Sequence, residues 1–583
     1  MEWKDYFKNE TDTQTEEREE ETIQSKKLKI TKFSRPDKQF LSTETNTYVE
    51  MVTNKLRNVK TNIDNNYRKK NNLTIDLRHS LNNLKRMVQQ KVIAICRSDK
   101  DGKTIILKHE DYLKIIEKDL EEYTKMELDT QNVDSSLKKT KNEGINMVIE
   151  LFNKGCISEN LLYLTTGHKT NKNGQMAKMT GTSAKFFDNL NAAYVYPLFK
   201  THKLNNITLE SCKIEDIPTR LVQSAGDAYL YRITAFLEEI LGPISIKYCQ
   251  TGINEYCKDS SNYTNKLFHW KNIVKENERE QNYKLVAADV KALYPSVPRN
   301  LIKISLMEAL HLCSNWPKCA QEILVELTMH CLNNIILQFN GQYYQQTNGI
   351  VTGDNNSVSL ANISLHFIIK KIKEIKHHTE IFVRFIDDIM YITKDNRNAI
   401  KIKTRLSEEF EKHDLKLLFR EISTKEEKEE VEFLDVLHYT QKEATKGFCI
   451  KDFVKPTAVD STFLNGKSYH PDHIFTGIIF GEAKRLRRLN ETDITYKESI
   501  ERLRNKCIRS HFKKTIVDNS ISIVKNWNTK YLPQSINEEE RIENTKIEEK
   551  GMKNRTIWAT KFYNNIRLNK KEKKTATWII YYI

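Results

Sequence analysis

The chain has 583 residues, of which 39% are apolar and 30% charged, with a formal charge of +16 and a pI near 9.1. That length exceeds one ordinary hydrophobic core and implies roughly two to four domains. The sequence holds no run of about 18 apolar residues for a membrane span, no apolar stretch for a signal peptide at its N-terminus, and ten scattered cysteines with no close CxxC pair, so intracellular reduced thiols are expected. The basic excess suggests a polyanionic partner, a weak signal alone.

In chain order, residues 1–45 mix acidic and basic runs and are expected to be a disordered tail. Residues 48–95 read as polar helix. VIAICRSDKDGKTIILKHEDY then reads as strand, turn at Asp101-Gly102, strand and helix start. Residues 111–155 read as helix, with Leu113, Ile116 and Leu120 at helical spacing. YVYPLFKTHK and IPTRLVQSAGDAYLYRI lead into a helix at TAFLEEIL, and apolar strands and helices alternate from there to about 440. Residues 497–527 read as helices with apolar faces at Ile500, Leu503 and Cys507 and at Phe512, Ile516, Ile521 and Val524. A charged tail follows from about 530.

FVRFIDDIMYIT, residues 382–393, reads as a hairpin with Asp387 and Asp388 at its bend. Adjacent carboxylates in apolar surroundings repel and resist desolvation, and a hard divalent cation relieves both problems. An Asp-rich turn facing solvent is the plain alternative. KLVAADVKALYPSVP, residues 284–298, reads as a strand running into Asp289 and bending at Tyr294-Pro295. Two-metal phosphoryl transfer needs such a carboxylate on a second strand; alone, Asp289 means little. Tyr294 either closes a pocket under an incoming sugar or packs in the core. Gly349 and Gly353 precede a helix, where backbone can approach a nucleotide or template base, or form an ordinary loop. Lys200, His202, Lys203 and Arg220, helped by Lys100 and Lys103, offer cations to a triphosphate or are solvated surface. Lys484, Arg485, Arg487 and Arg488 on one helix either line a groove for phosphates or face water.

Taken in order, these segments resemble the reverse transcriptases of Penelope-like retroelements, relatives of telomerase, over roughly residues 80–530. The resemblance rests on SDKDGKTIILKHEDYL, PLFKTHK, IPTRLVQSAGDAYLYRITAFL, DVKALYPSVP, GIVTGDNNSVSLANI, VRFIDDIMYI, EFLDVLHY and FVKPTAVDSTFLNGKSYHPDHIFTGIIFGEAKRLRRL. It implies an α+β right-hand polymerase with fingers, a palm built on an antiparallel sheet, and a helical thumb, plus a helical N-terminal region. The implied division is a tail at 1–45, helical region and start of fingers at 46–190, fingers and palm at 191–445, thumb at 446–530 and a basic connector at 531–583.

The implied activity is RNA-directed DNA polymerisation from a DNA primer on an RNA template with deoxynucleoside triphosphates. It uses two Mg²⁺ ions, or Mn²⁺ in their place, held by Asp289, Asp387, Asp388 and the Val290 carbonyl. Tyr294 matches the gate against a ribose 2′-hydroxyl. Lys203, Arg220 and Gly353 match nucleotide-facing positions, Asn362 lies in the Gly-containing motif, and Phe433, Leu434 and Asp435 match the primer grip. Two departures are Asp354 and Asp101, each an added carboxylate; Asp354 either points away from the nucleotide or contacts metal or template. RTIWATKFYNNIRL resembles the family's connector, but no GIY…YIG pair follows, which implies an endonuclease-lacking or truncated form. No membrane partner and a nuclear location are expected. A domesticated nucleic-acid-binding protein and an RNA-dependent RNA polymerase are the rival readings.

Overall fold

The computed structural model describes residues 75–100, 104–121, 124–126, 130–170, 176–178, 187–201, 217–224, 226, 228–273, 283–421, 430–439, 448–454, 463–468 and 470–525. The expected tail at 1–45, the turn at Asp101-Gly102, His202, Lys203 and the connector at 531–583 lie outside the described residues. The chain divides into two compact units, Met1–Gln90 with Ser535–Ile583, and Lys91–Gln534. In the first, the described element is helix α1 (Ile75–Gln89).

The second unit begins with β1 (Ile93–Ser98), β2 (Thr104–Lys108), α2 (His109–Leu120), β3 (Thr124–Met126), α3 (Thr130–Asn153) and α4 (Glu159–Thr166). Strands β1 and β2 fall in the segment that reads as strand, turn, strand, and Ile93 to Arg97 pair in antiparallel register with β2. The helical reading that ran to 95 overlaps the first three residues of β1. Strand β3 interrupts the expected helix over 111–155. Its Thr124, Lys125 and Met126 carry no strand pattern and are ordered by pairing with a later hairpin. Helix α4 starts where the Ser158 side chain accepts from Leu161 N–H and stops at Gly167, φ +75°.

Next come β4 (His168–Thr170), β5 (Met176–Lys178), β6 (Ala193–Phe199), β7 (Thr219–Ser224), α5 (Tyr231–Cys249), α6 (Ser260–Ile273), β8 (Lys284–Val290), α7 (Leu293–Ser296), α8 (Arg299–Cys313), α9 (Lys318–Asn333), β9 (Ile336–Phe339) and β10 (Gln342–Gln345). The seven-stranded sheet runs β2-β1-β6-β9-β10-β3, with β7 on the other side of β6. It mixes parallel pairs at β1–β6 and β6–β9 with antiparallel ones.

The chain continues through α10 (Ser357–Ile369), α11 (Lys373–His378), β11 (Ile381–Phe385), β12 (Asp388–Thr393), α12 (Asn396–Glu411) and β13 (Leu417–Glu421). Strands β11-β12-β8-β13 form a four-stranded sheet, antiparallel throughout. One face, through Val286, Ala288, Val290, Ile389 and Tyr391, packs on the main core with α8, α9, α10 and α12. The other, through Leu285, Ala287, Met390 and Ile392, packs on a smaller core with Tyr263, Trp270, Phe433 and Ile450. Burial on both faces explains why these strands are apolar throughout.

Finally β14 (Glu430–Phe433), β15 (Val436–Tyr439) and β16 (Cys449–Asp452) form a three-stranded sheet, so the expected boundary at 445/446 falls inside a sheet. Helices α13 (Asp472–Leu489), α14 (Asp493–Arg509) and α15 (Lys514–Lys525) share one core. Ile500, Leu503, Cys507, Phe512, Ile516 and Ile521, read as two faces, meet in it. Buried Asp452 on β16 accepts from Arg502 Nη2 at 2.7 Å and from Asn490 Nδ2 at 3.1 Å, tying these helices to the three-stranded sheet. The nine described cysteines are free thiols, and among the described residues no helix is long and apolar enough to cross a membrane.

Candidate active site

Alternation along β8 and β12 decides where the acids stand. The register pairs Leu285 with Ile392, Ala287 with Met390, and Asp289 with Asp388. Asp289 and Asp388 therefore continue the face that covers the smaller core, at the end of the sheet where burial gives out and both become half-buried. Val290 N–H donates to the Asp387 carbonyl at 3.2 Å. That bond flanks the Asp289–Asp388 pair and makes it the non-hydrogen-bonded kind, whose side chains stand closer, with Cβ atoms about 4.5–5.5 Å apart. Phe385 pairs with Asp388, leaving Ile386 and Asp387 as a two-residue turn, with Ile386 at φ +54°. Asp289 and the 387/388 bend thus meet at one rim, and Val290 ends its strand there.

Two facing carboxylates at a half-exposed rim repel, and their hard oxygens, with water still able to reach them, suit a divalent cation such as Mg²⁺ or Mn²⁺. Asp289, Asp388, Asp387 and the Val290 carbonyl are the groups that fit such an ion. A second cluster, Cys249, Glu255 and His366, brings its ligand atoms within 4.8 Å of one another. There, however, Arg384 donates from Nε to Glu255 Oε1 at 2.7 Å, and burial pushes the Cys249 thiol up to about 12. A guanidinium and a protonated thiol suit a hydrogen-bonded network better than a cation.

Tyr294 follows Ala292, a left-handed residue at φ +50°, in the short helix α7. Burial raises its hydroxyl pKa first; the Asp387 charge raises it further and the Arg220 charge opposes. Tyr294 thus feels charge from both the acid rim and β7. Arg220 on β7 has a side chain 47% exposed and pairs with buried Asp99 Oδ1 at 3.5 Å. Lys100, beside Asp99, is exposed.

The two glycines fit backbone, which is more specific than an open approach to a ligand. A Cβ on Gly349, φ +72°, would stand 2.5 Å from the Pro295 carbonyl oxygen. One on Gly353, φ +111°, would stand 2.6 Å from that of Gln223. The same approach is held by Gln223 N–H donating to Thr352 O at 3.0 Å and Ile350 N–H to Tyr294 O at 2.7 Å. The Gly-containing turn is thereby locked to β7 and α7. Asp354 accepts from Thr234 Oγ1 at 2.5 Å and from Asn355 N–H at 2.8 Å, against α5. Burial raises its pKa, opposed by those two hydrogen bonds.

Phe433 is a core residue, its ring edge-on to Tyr263 at 4.8 Å. Leu434, at φ +55°, and Asp435 form the turn between β14 and β15. Exposed Asp435 accepts from Ser260 Oγ at 3.0 Å and from Arg485 Nη1 at 3.4 Å. On α13, Lys484 is half-buried and Arg488 exposed. Arg485 also pairs with Glu482 at 2.9 Å. Arg487 departs from the groove reading: its side chain is 5% exposed, pairs with Asp493 at 2.9 Å and lies over the Tyr496 ring at 4.8 Å. Its carbon stem is apolar enough to serve the helix core.

Residues 227–436 match the family model described as reverse transcriptase (RNA-dependent DNA polymerase). That segment is similar to reverse transcriptases over roughly a third of the chain. The matched span runs from just before α5 to the first residue of β15 and includes Asp289, Asp387 and Asp388. Residues 462–522 match the animal helix-turn-helix domain, the segment of α13, α14 and α15. No curated protein matches the chain. Among solved structures it is similar to truncated apo telomerase from Candida tropicalis, at 11% identity and TM-score 0.34, covering 47% of this chain and 56% of that one. It is similar to telomerase from Candida albicans in complex with a fragment of telomeric RNA, at 11% and 0.42, covering 60% and 61%. A human picobirnavirus RNA-dependent RNA polymerase gives 11% and 0.38, covering 84% and 85%. The chain thus spans less than two thirds of the two telomerase chains. The fold is mixed α/β, with helices packed on a four-stranded antiparallel sheet.

Sequence reasoning passed over a group inside the matched segment. Arg384, Glu255 and His366 are buried together, and Asn362 joins them through its side chain. The signal was available: a charged Arg384 within the apolar run of FVRFIDDIMYIT has to find buried partners. Glu255 lies in polar loop sequence with nothing local to mark it.

Proposed function

We propose that this protein is an RNA-directed DNA polymerase of the Penelope-like retroelement type, extending a DNA primer on an RNA template. The observation that carries the reading is the register placing Asp289 directly across from Asp388, next to the turn residue Asp387, within the segment similar to reverse transcriptases. Side chains of like charge facing each other in a close pair destabilise a sheet, and a shared divalent cation offsets that repulsion.

Asp289, Asp387 and Asp388, with the Val290 carbonyl, would hold divalent ions, Mg²⁺ or Mn²⁺. Such ions, when bound, stabilise charge on the attacking and leaving oxygens of phosphoryl transfer. The carboxylates keep the site anionic until the ions and the deoxynucleoside triphosphate enter. Arg220 on β7 offers a planar cation for the phosphates, and Lys203 is proposed to serve them too. Tyr294, between that strand and the acids, would exclude the ribose 2′-hydroxyl. Gly353 lets the motif before α10 close on β7, which sets one wall of the nucleotide site.

Residues 191–445 would form fingers and palm, with the start of the fingers within 46–190, and 446–530 the thumb, followed by the connector. The turn of Phe433, Leu434 and Asp435 would steady the primer end. Lys484, Arg485 and Arg488 would meet template and primer phosphates, in keeping with the helix-turn-helix match over that segment. Copying of this kind points to the nucleus.

Primer extension tests the reading. Purified protein, Mg²⁺ and deoxynucleotides are expected to extend a DNA primer on an RNA template, and Asp387→Asn to abolish extension. Nucleic-acid affinity without extension would leave a binding protein instead. Ready use of ribonucleotides would favour RNA synthesis, and Tyr294→Ala is expected to relax that discrimination.

A further inference from the structure

Arg384 is the fourth of the five residues of β11 and is 2% exposed. Its Nε donates to Glu255 Oε1 at 2.7 Å. Its Nη1 donates to Asn362 Oδ1 at 2.7 Å and to the Ile386 carbonyl at 2.9 Å, and its Nη2 to the Asn362 carbonyl at 3.2 Å. These acceptors come from three places: the segment after α5, helix α10 and the first residue of the Ile386-Asp387 turn. The backbone repeats the tie, since Arg384 N–H donates to the Glu255 carbonyl at 2.7 Å and Cys257 N–H to the Arg384 carbonyl at 3.0 Å. Thr251 Oγ1 and the His366 ring nitrogen, 3.1 Å apart, close the group on its far side.

Ile386 has φ +54°. A β-branched residue rarely adopts that conformation, and it persists only where the surroundings over-determine it. The Arg384 guanidinium supplies the hold, by donating to the Ile386 carbonyl one residue before Asp387. A buried ion pair is otherwise a poor source of stability, because apolar residues of similar volume often serve as well or better. A role in fixing geometry accounts for a charged pair kept at this place.

We propose that the Arg384–Glu255–Asn362 cluster is a positioning device that fixes the Asp387-Asp388 turn for divalent-cation binding. The proposal rests on the polymerase reading for the identity of the site. Arg384 and Glu255 touch neither ion nor substrate; they act through the Ile386 carbonyl and the register of β11 with β12. Loss of such support around metal ligands weakens metal affinity by about 10- to 100-fold.

The test uses the full chain and the double variant Arg384→Met with Glu255→Met, which removes both charges together and avoids stranding one. Mn²⁺ binding is read by electron paramagnetic resonance, Mg²⁺ dependence by primer extension, and folding by thermal melting. The expected result is a folded protein that binds primer–template as before. Its Mn²⁺ affinity should fall, and its Mg²⁺ half-saturation rise, by about tenfold or more. Arg384→Lys keeps the charge but not the fork of donors and should fall between. A folded double variant with wild-type Mn²⁺ affinity overturns the proposal. Should the double variant not fold, Asn362→Ala removes one acceptor and no charge, and unchanged Mn²⁺ affinity there overturns it equally. Mn²⁺ binding that depends on Asp289 and on this cluster, in a protein that extends no primer, would end the polymerase reading and leave the positioning role intact.

Discussion

The rim of the four-stranded sheet and helix α13 both carry runs of charged side chains, and they use them in opposite ways. At the rim, Asp289 and Asp388 occupy the positions where β8 and β12 would next place core residues, opposite each other and half-buried. On α13, opposite charges pair along and between helices. Arg487 is held by Asp493 and Tyr496, and Arg485 by Glu482 and Asp435, while Arg488 stays exposed. Charge paired with local opposite charge serves the architecture, whereas carboxylates facing each other at a half-buried rim are a donor set that suits a cation.

The largest effect expected is at the rim. Asp289→Asn should lower primer extension by about 10²- to 10³-fold or more, since one metal-binding oxygen becomes an amide. It should not lower the melting temperature and should raise it, because a facing repulsion is relieved. A large loss of stability with the loss of extension would break the contrast, for it would make Asp289 a structural residue.

Beneath the same face lies a polar group that the fold satisfies internally. His438 is 1% exposed, with Nε2 2.6 Å from the Tyr263 hydroxyl and Nδ1 2.9 Å from the Val431 carbonyl. Burial lowers its pKa from 6.5 to about 4, with the Val431 carbonyl opposing and the Lys271 charge assisting. Between those values the unfolded chain takes up a proton that the folded protein refuses. Stability contributed by this group is therefore present above pH 6.5 and falls as pH drops toward about 4. A shift of that size corresponds to roughly 3 kcal/mol. Melting measured across this range should show a slope that His438→Asn flattens; an equal slope in the variant would sink the assignment.

Much of the rim could be read in the residues because both of its signals are local. FVRFIDDIMYIT alternates around two acids, and LVAADV runs straight into a third. What escaped reading was set by distant partners. Strand β3 has three residues without pattern and exists through its pairing with Tyr343, Tyr344 and Gln345. Strand β13, beside β8, was not singled out, although it completes the sheet. Arg384 reads as a stray charge until Glu255 is brought to it across the fold. Gly353 reads as a place of close backbone approach, but the Gln223 carbonyl that a Cβ there would meet lies on another strand.

That last point sharpens the comparison at smaller size. Gly353→Ala would bring a Cβ within 2.6 Å of Gln223 O at φ +111°, and backbone has to shift. The expected cost is about 1–3 kcal/mol, read by denaturant unfolding. Extension should fall together with stability, through the displaced turn before α10. Full stability with lost extension would mean that the residue meets the nucleotide directly.

The finest test sets two neighbours on α13 against each other. Arg487→Ala removes a nearly buried guanidinium from Asp493 and Tyr496, and should cost about 1–3 kcal/mol in melting. It should leave the salt dependence of nucleic-acid binding unchanged, because its charge is already matched within the helices. Arg488→Ala should change stability by less than about 0.5 kcal/mol, yet lower the slope of log affinity against log salt by about one if it meets a phosphate. The adjacent positions thus exchange effects, one on folding and one on binding. A lowered salt slope in Arg487→Ala would put that side chain back in the groove, and the bundle would then use its charge as the rim does, for something outside the chain.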